Sequence, residues 1–433
     1  MSLDPILARE KLGAVARLIT RQPPASLWEI DTSLLPPALG AYRRKVRDFA
    51  RRELLPRCLE ADADPDRFDR IGLVRIAARA GILTDSLPRP LGTGGAWTLA
   101  SSPLLAAHLR MEELCAACGG LGLLLGANEL GMLPILLSAD FSAIRRLLWP
   151  ALQRTRRGEP SLFAFAITEP DAGSDVQDTR GARTARIVTR ARRVPNGWRI
   201  RGRKCFITNG DIAERVSLFA ALEDEGLESW TCFVVERAQG GFAVGRHERK
   251  LGQRAANAVE LVLDDVFVPD DHVVGPLRGG WALARATLDM SRGPVGAIAL
   301  GIARGAVEAA LEVARSMRVG GRALVEHDDV ALAFADMLME LGASRSLLWQ
   351  TAGHLPPRAA AAATAKAFCA ESAWRVCSRA MEVLGDAAIF SSSRVEKALR
   401  DARLNQIYEG TDEIQRLALL EAQWTTDIAG GTR

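Results

Sequence analysis

Residues of a type and spacing that could do chemistry fall in a few short segments of this chain. Ala166 to Asp175 read AITEPDAGSD. Their glycine and small residues let backbone N–H groups approach a ligand, and Thr168 and Ser174 add hydroxyls. On this segment alone two readings stand level, a strand-to-loop ligand cradle and a plain Pro-Asp-Ala-Gly turn. Near the other end Glu409 sits between Tyr408 and Gly410, where glycine permits a tight turn. Thr411, Asp412 and Glu413 then suit a helix N-terminus, which favours side-chain oxygens and negative charge. Taken by itself, such a glutamate reads as a surface residue before a helix. Cys115 and Cys118 form a CxxC, a spacing used in redox and metal chemistry. They lie in the apolar run LCAACGGLGLLL, with no second CxxC and no histidine nearby except His108, so they read as buried helix cysteines. The other histidines are dispersed, and no metal site is expected.

Three zones must position these segments. From about Leu35 to Pro160 apolar residues recur at spacings of three and four, as Tyr42, Val46, Phe49 and Ala50 illustrate. SLPRPLGTGG, Ser86 to Gly95, breaks this zone as a loop. From Ser161 to about Gly275 the period becomes two, and Pro195-Asn196-Gly197 signals a hairpin. This predicts a compact antiparallel β-domain. From about Gly280 to Trp424 long alanine-rich helices return, with small side chains that suit a four-helix bundle. The division expected is an extension over 1–34, helices over 35–160, the β-domain over 161–275 and a helical bundle over 276–433. No internal repeat is visible.

AITEPDAGSD, GRKCFITNG (Gly202 to Gly210), KLGQR (Lys250 to Arg254) and QIYEGTDEIQR (Gln406 to Arg416) together resemble the acyl-CoA dehydrogenase family. They keep that family's order and spacing over roughly Pro37 to Gln423, and four segments in register make a chance match remote. The resemblance implies an α+β fold: an N-terminal helical domain, a central antiparallel β-barrel-like domain and a C-terminal four-helix bundle. It implies FAD. Phe165, Ile167, Thr168, Gly173 and Ser174 match the loop along the flavin, with Thr168 near its pyrimidine end. Phe206, Ile207 and Thr208 match its aromatic wall and the hydroxyl near N5, although many members carry tryptophan in place of Phe206. Gly410, Thr411 and Glu413 match the turn beside the catalytic base, and Glu409 matches the base itself. Ser174 also matches a contact to the substrate's pantetheine arm, and Asp289 and Arg292 a substrate-side helix start.

The implied reaction is α,β-dehydrogenation of an acyl thioester, with electrons passing on to a protein such as an electron-transferring flavoprotein. A carboxylate removes the α-proton while hydride leaves the β-carbon for flavin N5, and the thioester carbonyl must be polarised as enolate charge develops. A glutamate shielded from water is a stronger base once ionised. Some relatives carry the base on the helix that here reads LDMSRGP, but the matching residue is Ser291, which cannot serve. Two other classes fit the same segments: an oxidase or monooxygenase in which oxygen reoxidises the flavin, and a flavin-free subunit of a larger complex.

Departures from the family pattern cluster on the diphosphate side of the cofactor. In ARSMRVGGRAL, Met317 stands where members have arginine and Gly320 where they have phenylalanine. Glu382, Gly385 and Asp386 lie in the counterpart of a glutamine- and glycine-rich motif. In the family these positions reach across a subunit interface, and here they would repel a diphosphate. A related partner subunit, or rearranged contacts through Arg315, Arg318 or Arg322, would answer this. Ala255, Ala256 and Ala258 replace hydroxyl-bearing residues after KLGQR, which leaves an acyl carrier protein beside CoA as the bearer of the acyl group.

At 48% hydrophobic and 25% charged, the chain has an ordinary globular composition. A net charge of +4, spread over scattered arginines without interleaved aromatics, argues against a nucleic-acid binder. Seven scattered cysteines do not form a disulfide framework and suggest a reducing compartment. The N-terminal segment does not read as a secretory signal. The greasiest stretch, Leu121 to Leu137, holds Asn128 and Glu129 and reads as too short for a bilayer span. A cytoplasmic oligomer is expected, either a homo-oligomer or a heteromer with a related subunit.

Overall fold

Apolar spacing of three and four becomes helix, and alternation becomes sheet, in the computed structural model of the chain. It describes Gly13 and residues 26–95, 101–177 and 181–430. The chain forms two compact units, Met1–Lys45 and Val46–Arg433. In the first, Ser26 caps helix α1 (Leu27–Ser33) by accepting the Glu29 N–H. The Arg43 guanidinium donates to Thr32 Oγ1 at 3.2 Å and lies over the Trp28 ring. Helix α2 (Pro37–Phe49) runs across the boundary.

The second unit continues with α3 (Cys58–Ala63), α4 (Arg70–Arg79), α5 (Pro103–Ala117), α6 (Gly119–Leu137) and α7 (Trp149–Arg156). Helix α6 is 19 residues long, longer than the apolar run suggested, so length alone does not exclude a membrane span. Its packing identifies it as a core helix. Asn128 Oδ1 accepts the Phe163 N–H at 2.9 Å, and a Cβ on Gly131 would stand 2.5 Å from the Phe163 carbonyl carbon.

Strands β1 (Phe163–Ala166), β2 (Arg190–Val194), β3 (Gly197–Thr208), β4 (Arg215–Leu222), β5 (Thr231–Glu236), β6 (Phe242–His247), β7 (Ala258–Pro269) and β8 (Val273–Val274) share one sheet. Its order is β6-β7-β3-β2-β4-β5-β8, with β1 on β4. The β2–β3 hairpin turns at Pro195-Asn196, with Asn196 at φ 62°, as in a type II turn. The sheet is mixed, where alternation alone suggested an antiparallel one. Strand β4 lies beside β2 rather than β3 and runs parallel to it, and β1 also joins β4 in parallel.

Helices α8 (Gly280–Ser316), α9 (Asp328–Thr351), α10 (Ala359–Leu384) and α11 (Arg394–Asn405) bury their apolar faces, alanine-rich on α8 and α10, in one core, which also takes Met111 and Cys115 of α5. Between α8 and α9 lies a small hairpin of β9 (Arg318–Val319) and β10 (Arg322–Ala323). Helix α12 (Asp412–Gly430) packs along α10. Small residues let α8 come close to α5: a Cβ on Gly301 would meet the Glu112 carbonyl oxygen at 2.5 Å. Across this junction Arg304 pairs with Glu112 and Glu113 at 2.7 and 2.6 Å, and Arg345 of α9 with Glu112 at 2.8 Å, all four buried.

Candidate active site

Strand β1 delivers the AITEPDAGSD segment. All four of its residues are buried, so the chain leaves the sheet at Ile167 as a loop anchored in the core. Glu169 fixes that loop to β3. Its Oε1 accepts from Lys204 Nζ at 2.8 Å, and its Oε2 accepts the Val188 and Thr189 N–H groups at 2.6 and 3.1 Å. Lys204 also donates to the Ile167 carbonyl at 3.0 Å. Burial raises the Glu169 carboxyl, but Lys204 and the two N–H groups more than offset this and hold it below its ordinary range. Neither Glu169 nor Lys204 stood out in the sequence, because each matters only through the other.

Strand β3 delivers Phe206 through a bulge. Lys204 pairs with Leu261 and Ile207 with Val259, so one extra residue lies on the β3 side. Phe206 takes φ 58° there and is 60% exposed. A bulky side chain at positive φ is strained, and such strain gathers at functional sites. Asn209, Gln253 and Glu409 are also at positive φ in the motif segments.

The C-terminal turn delivers Glu409, at φ 58°, followed by Gly410 at φ 87°. A Cβ on Gly410 would lie 2.6 Å from Gln177 Oε1 and 2.6 Å from Gln415 Nε2, side-chain ends that would have to shift, and the positive φ itself favours glycine. Glu409 Oε2 accepts from the Ser291 hydroxyl at 2.9 Å. Burial pushes the Glu409 carboxyl up, and the Ser291 hydroxyl, Arg292 and Lys366 offset only part of that. Gln253 of KLGQR donates to the Asp401 carbonyl and to Asn405 Oδ1, which in turn accepts from Tyr408 beside the turn.

One cavity of about 1080 Å³ brings these pieces together. Phe165, Ile167, Thr168, Gly173 and Ser174 line it from β1 and its loop, Phe206, Ile207 and Thr208 from β3, and Glu409, Gly410 and Thr411 from the turn. Leu104, Ala107, Met111, Leu123, Ala127, Val295 and Ile298 extend its wall with hydrocarbon from α5, α6 and α8. Three expected residues lie off the wall. Asp289 and Arg292 pair with each other at 2.6 Å, flanking the lining residues Met290 and Ser291. Glu413 is exposed in the first turn of α12, whereas Thr411 precedes that helix and lines the cavity. Residues not anticipated are Lys366, Gln177 and Gln415, which hold or crowd the Glu409 turn from other elements.

The lining fits a flavin ring. An uncovered aromatic on a bulge, hydroxyls at Thr168, Thr208 and Thr411, and a cavity large enough for a planar tricycle beside an acyl chain are the features such a ring needs. On the other side, Met317 is half-buried against the helical core, Glu382 is exposed and paired with Arg379 at 2.9 Å, and Asp386 is exposed. None of these side chains offers a diphosphate a positive charge. All seven cysteines are free and buried, and among the described residues no His, Cys, Asp and Glu cluster could hold a metal ion.

With this geometry in place, the chain can be set beside known proteins. It matches the N-terminal domain of acyl-CoA dehydrogenase over residues 37–153, the middle domain over 164–266 and the C-terminal domain over 278–423. It is 30% identical over 397 residues to the probable acyl-CoA dehydrogenase FadE25 of Mycobacterium tuberculosis, covering 90% of this chain and 97% of that one. It is 34% identical over 380 residues to cyclohex-1-ene-1-carbonyl-CoA dehydrogenase of Geobacter metallireducens, covering 86% and 94%. The structure of butyryl-CoA dehydrogenase from Megasphaera elsdenii superposes with a TM-score of 0.81 at 29% identity, over 90% of this chain and 99% of that one. The chain belongs to the acyl-CoA dehydrogenase family, a family of flavoprotein oxidoreductases.

Proposed function

We propose that this chain desaturates an acyl thioester between its α- and β-carbons, with FAD as cofactor and Glu409 as the base. The observation that carries the proposal is a desolvated carboxylate on a strained turn, opening on the cavity that Thr168 to Ser174 and Phe206 to Thr208 also line. Thr168, Ser174 and Thr208 would hold the ring by hydroxyl and backbone contacts, with Phe206 stacked as a wall. The bound flavin supplies an acceptor for the hydride that leaves the β-carbon. Glu409 takes the α-proton, and its raised proton affinity makes that transfer more favourable. Its own backbone N–H would polarise the thioester carbonyl, as the family resemblance implies. The hydrocarbon wall from α5, α6 and α8 excludes water and receives the acyl chain.

CoA is the carrier favoured by relatives named as acyl-CoA dehydrogenases, with an acyl carrier protein as the alternative. The proposed electron acceptor is an electron-transferring flavoprotein. The uncharged or acidic residues Met317, Glu382 and Asp386 favour a heteromer, in which a related subunit completes the diphosphate site, over a simple homo-oligomer. Free, buried cysteines support a cytoplasmic setting.

Purified protein is expected to show a flavin spectrum and to oxidise butyryl-, octanoyl- or palmitoyl-CoA with a ferricenium acceptor. Glu409→Gln should keep the spectrum and lose turnover. Protein that stays colourless with added FAD and co-expressed partner subunits would refute the proposal. Oxygen uptake matching substrate loss would instead indicate the oxidase reading.

A further inference from the structure

The turn carrying Glu409 is gripped by a side chain that lies outside every sequence motif. Lys366, on α10, is fully buried. Its Nζ donates to the Gly410 carbonyl at 2.8 Å and to Asp412 Oδ1 at 2.9 Å. Gln415 Nε2 donates to the carbonyls of Glu409 and Gly410 at 2.9 and 3.1 Å. Both residues of the left-handed turn therefore have their carbonyls tied down, which a non-glycine residue such as Glu409 needs to stay there.

The same ammonium is one of two buried cations that act on the Glu409 carboxylate. The other is Arg292 of α8, already paired with Asp289. Further charges bear on these partners rather than on Glu409 itself: Arg285 of α8 and Glu421 of α12 on Arg292, and Glu371 of α10 and Arg416 of α12 on Asp412. Tyr408 is the neighbouring titratable group on the turn and keeps its proton, because burial raises it well above its ordinary value. A lysine buried among helices costs free energy unless it is paired, and this one is satisfied by groups that flank Glu409.

We propose that Lys366 is a positioning residue for the reaction: its grip on Gly410 and Asp412 aims the Glu409 carboxylate into the cavity, and its charge sets how readily that carboxylate takes a proton. The proposal rests on Glu409 being the base. Removing the ammonium leaves the carboxylate less stabilised and raises its proton affinity. Removing the charge of Asp412 leaves the ammonium less compensated and lowers it.

Lys366→Met and Asp412→Asn should thus move the acid limb of the kcat profile in opposite directions. The first moves it up and the second down, each by about one pH unit, a tenfold change in proton affinity. The assay is turnover of butyryl-, octanoyl- and palmitoyl-CoA with ferricenium. A second readout is the Glu409 carboxyl band, followed with pH by infrared difference between each variant and the same variant carrying Glu409→Gln. A lysine with a merely structural role would lower the folded fraction and leave both limb and band in place, and that result overturns the proposal. Shifts in the same direction overturn it too. If Lys366→Met does not fold, Asp412→Asn decides alone: a downward shift supports the proposal, and no shift or an upward one refutes it. Failure of the base assignment is separate, since Glu409→Gln would then turn over like the wild type.

Discussion

At Glu409 the requirements of folding and of chemistry pull in opposite directions. Its carboxyl titrates above the ordinary range, with burial as the main cause. For a raised group, stability is full below the unfolded-state value and is lost as pH rises through the folded-state value. At neutral pH, which is above the unfolded-state value, the raised carboxyl therefore costs the fold stability. Glu409→Gln is expected to raise Tm at neutral pH while lowering turnover about a thousandfold; thermal melts and steady-state kinetics on one preparation check both. A lower Tm would mean that the carboxylate serves the fold. Gly410→Ala should instead lower Tm and turnover together, because alanine is strained at φ 87° and its Cβ displaces the Gln177 and Gln415 side-chain ends. The glutamate and its glycine were legible in YEGTDEIQR. Lys366 and Gln177 were not, since each reaches the turn from a distant part of the chain and neither sits in a telling local pattern; Gln415 lies within that segment, but its grip on the two carbonyls appears only in three dimensions.

Among the elements, periodicity carried most of the fold. The alternating segments became strands, Pro195-Asn196 became a hairpin turn, and the alanine-rich runs became packed helices. What local pattern could not show was pairing. Alternation specifies which face of a strand is buried, not which neighbour it meets, so the parallel placing of β1 and β2 against β4 appears only in three dimensions. The bulge that turns Phe206 outward is hidden for the same reason, because it exists only relative to β7. The α5–α8–α9 junction depends on a buried charge cluster that reads, in sequence, as scattered arginines and glutamates. Arg304→Met should lower unfolding free energy by about 3–5 kcal/mol, by leaving Glu113 undercompensated. Adding Glu113→Gln should recover much of that loss in denaturant titrations. A loss below about 1 kcal/mol for the single variant would show that the cluster relaxes around the gap.

For the whole molecule, the apolar side chains left in water are informative. Phe368, Trp374, Ile389 and Phe390 are each more than a third exposed on or just after α10. The oligomer proposed above would give such apolar side chains a surface to pack against. Light scattering on purified protein is expected to return a multiple of the chain mass, and a monomer at micromolar concentration would contradict the association proposed above. Tracing the flavin's diphosphate contacts to a second, related chain would explain why the ring side of the site is well built and the other side is not.

In the proposed reaction one carboxylate and one flavin ring share this cavity across a bound acyl chain. Its most direct test is anaerobic mixing of the flavin-loaded protein with an acyl-CoA it turns over, while the visible flavin band is recorded. Rapid bleaching is expected in the wild type and none on that timescale in Glu409→Gln, with the ligand still bound. Equal bleaching in both proteins would contradict it.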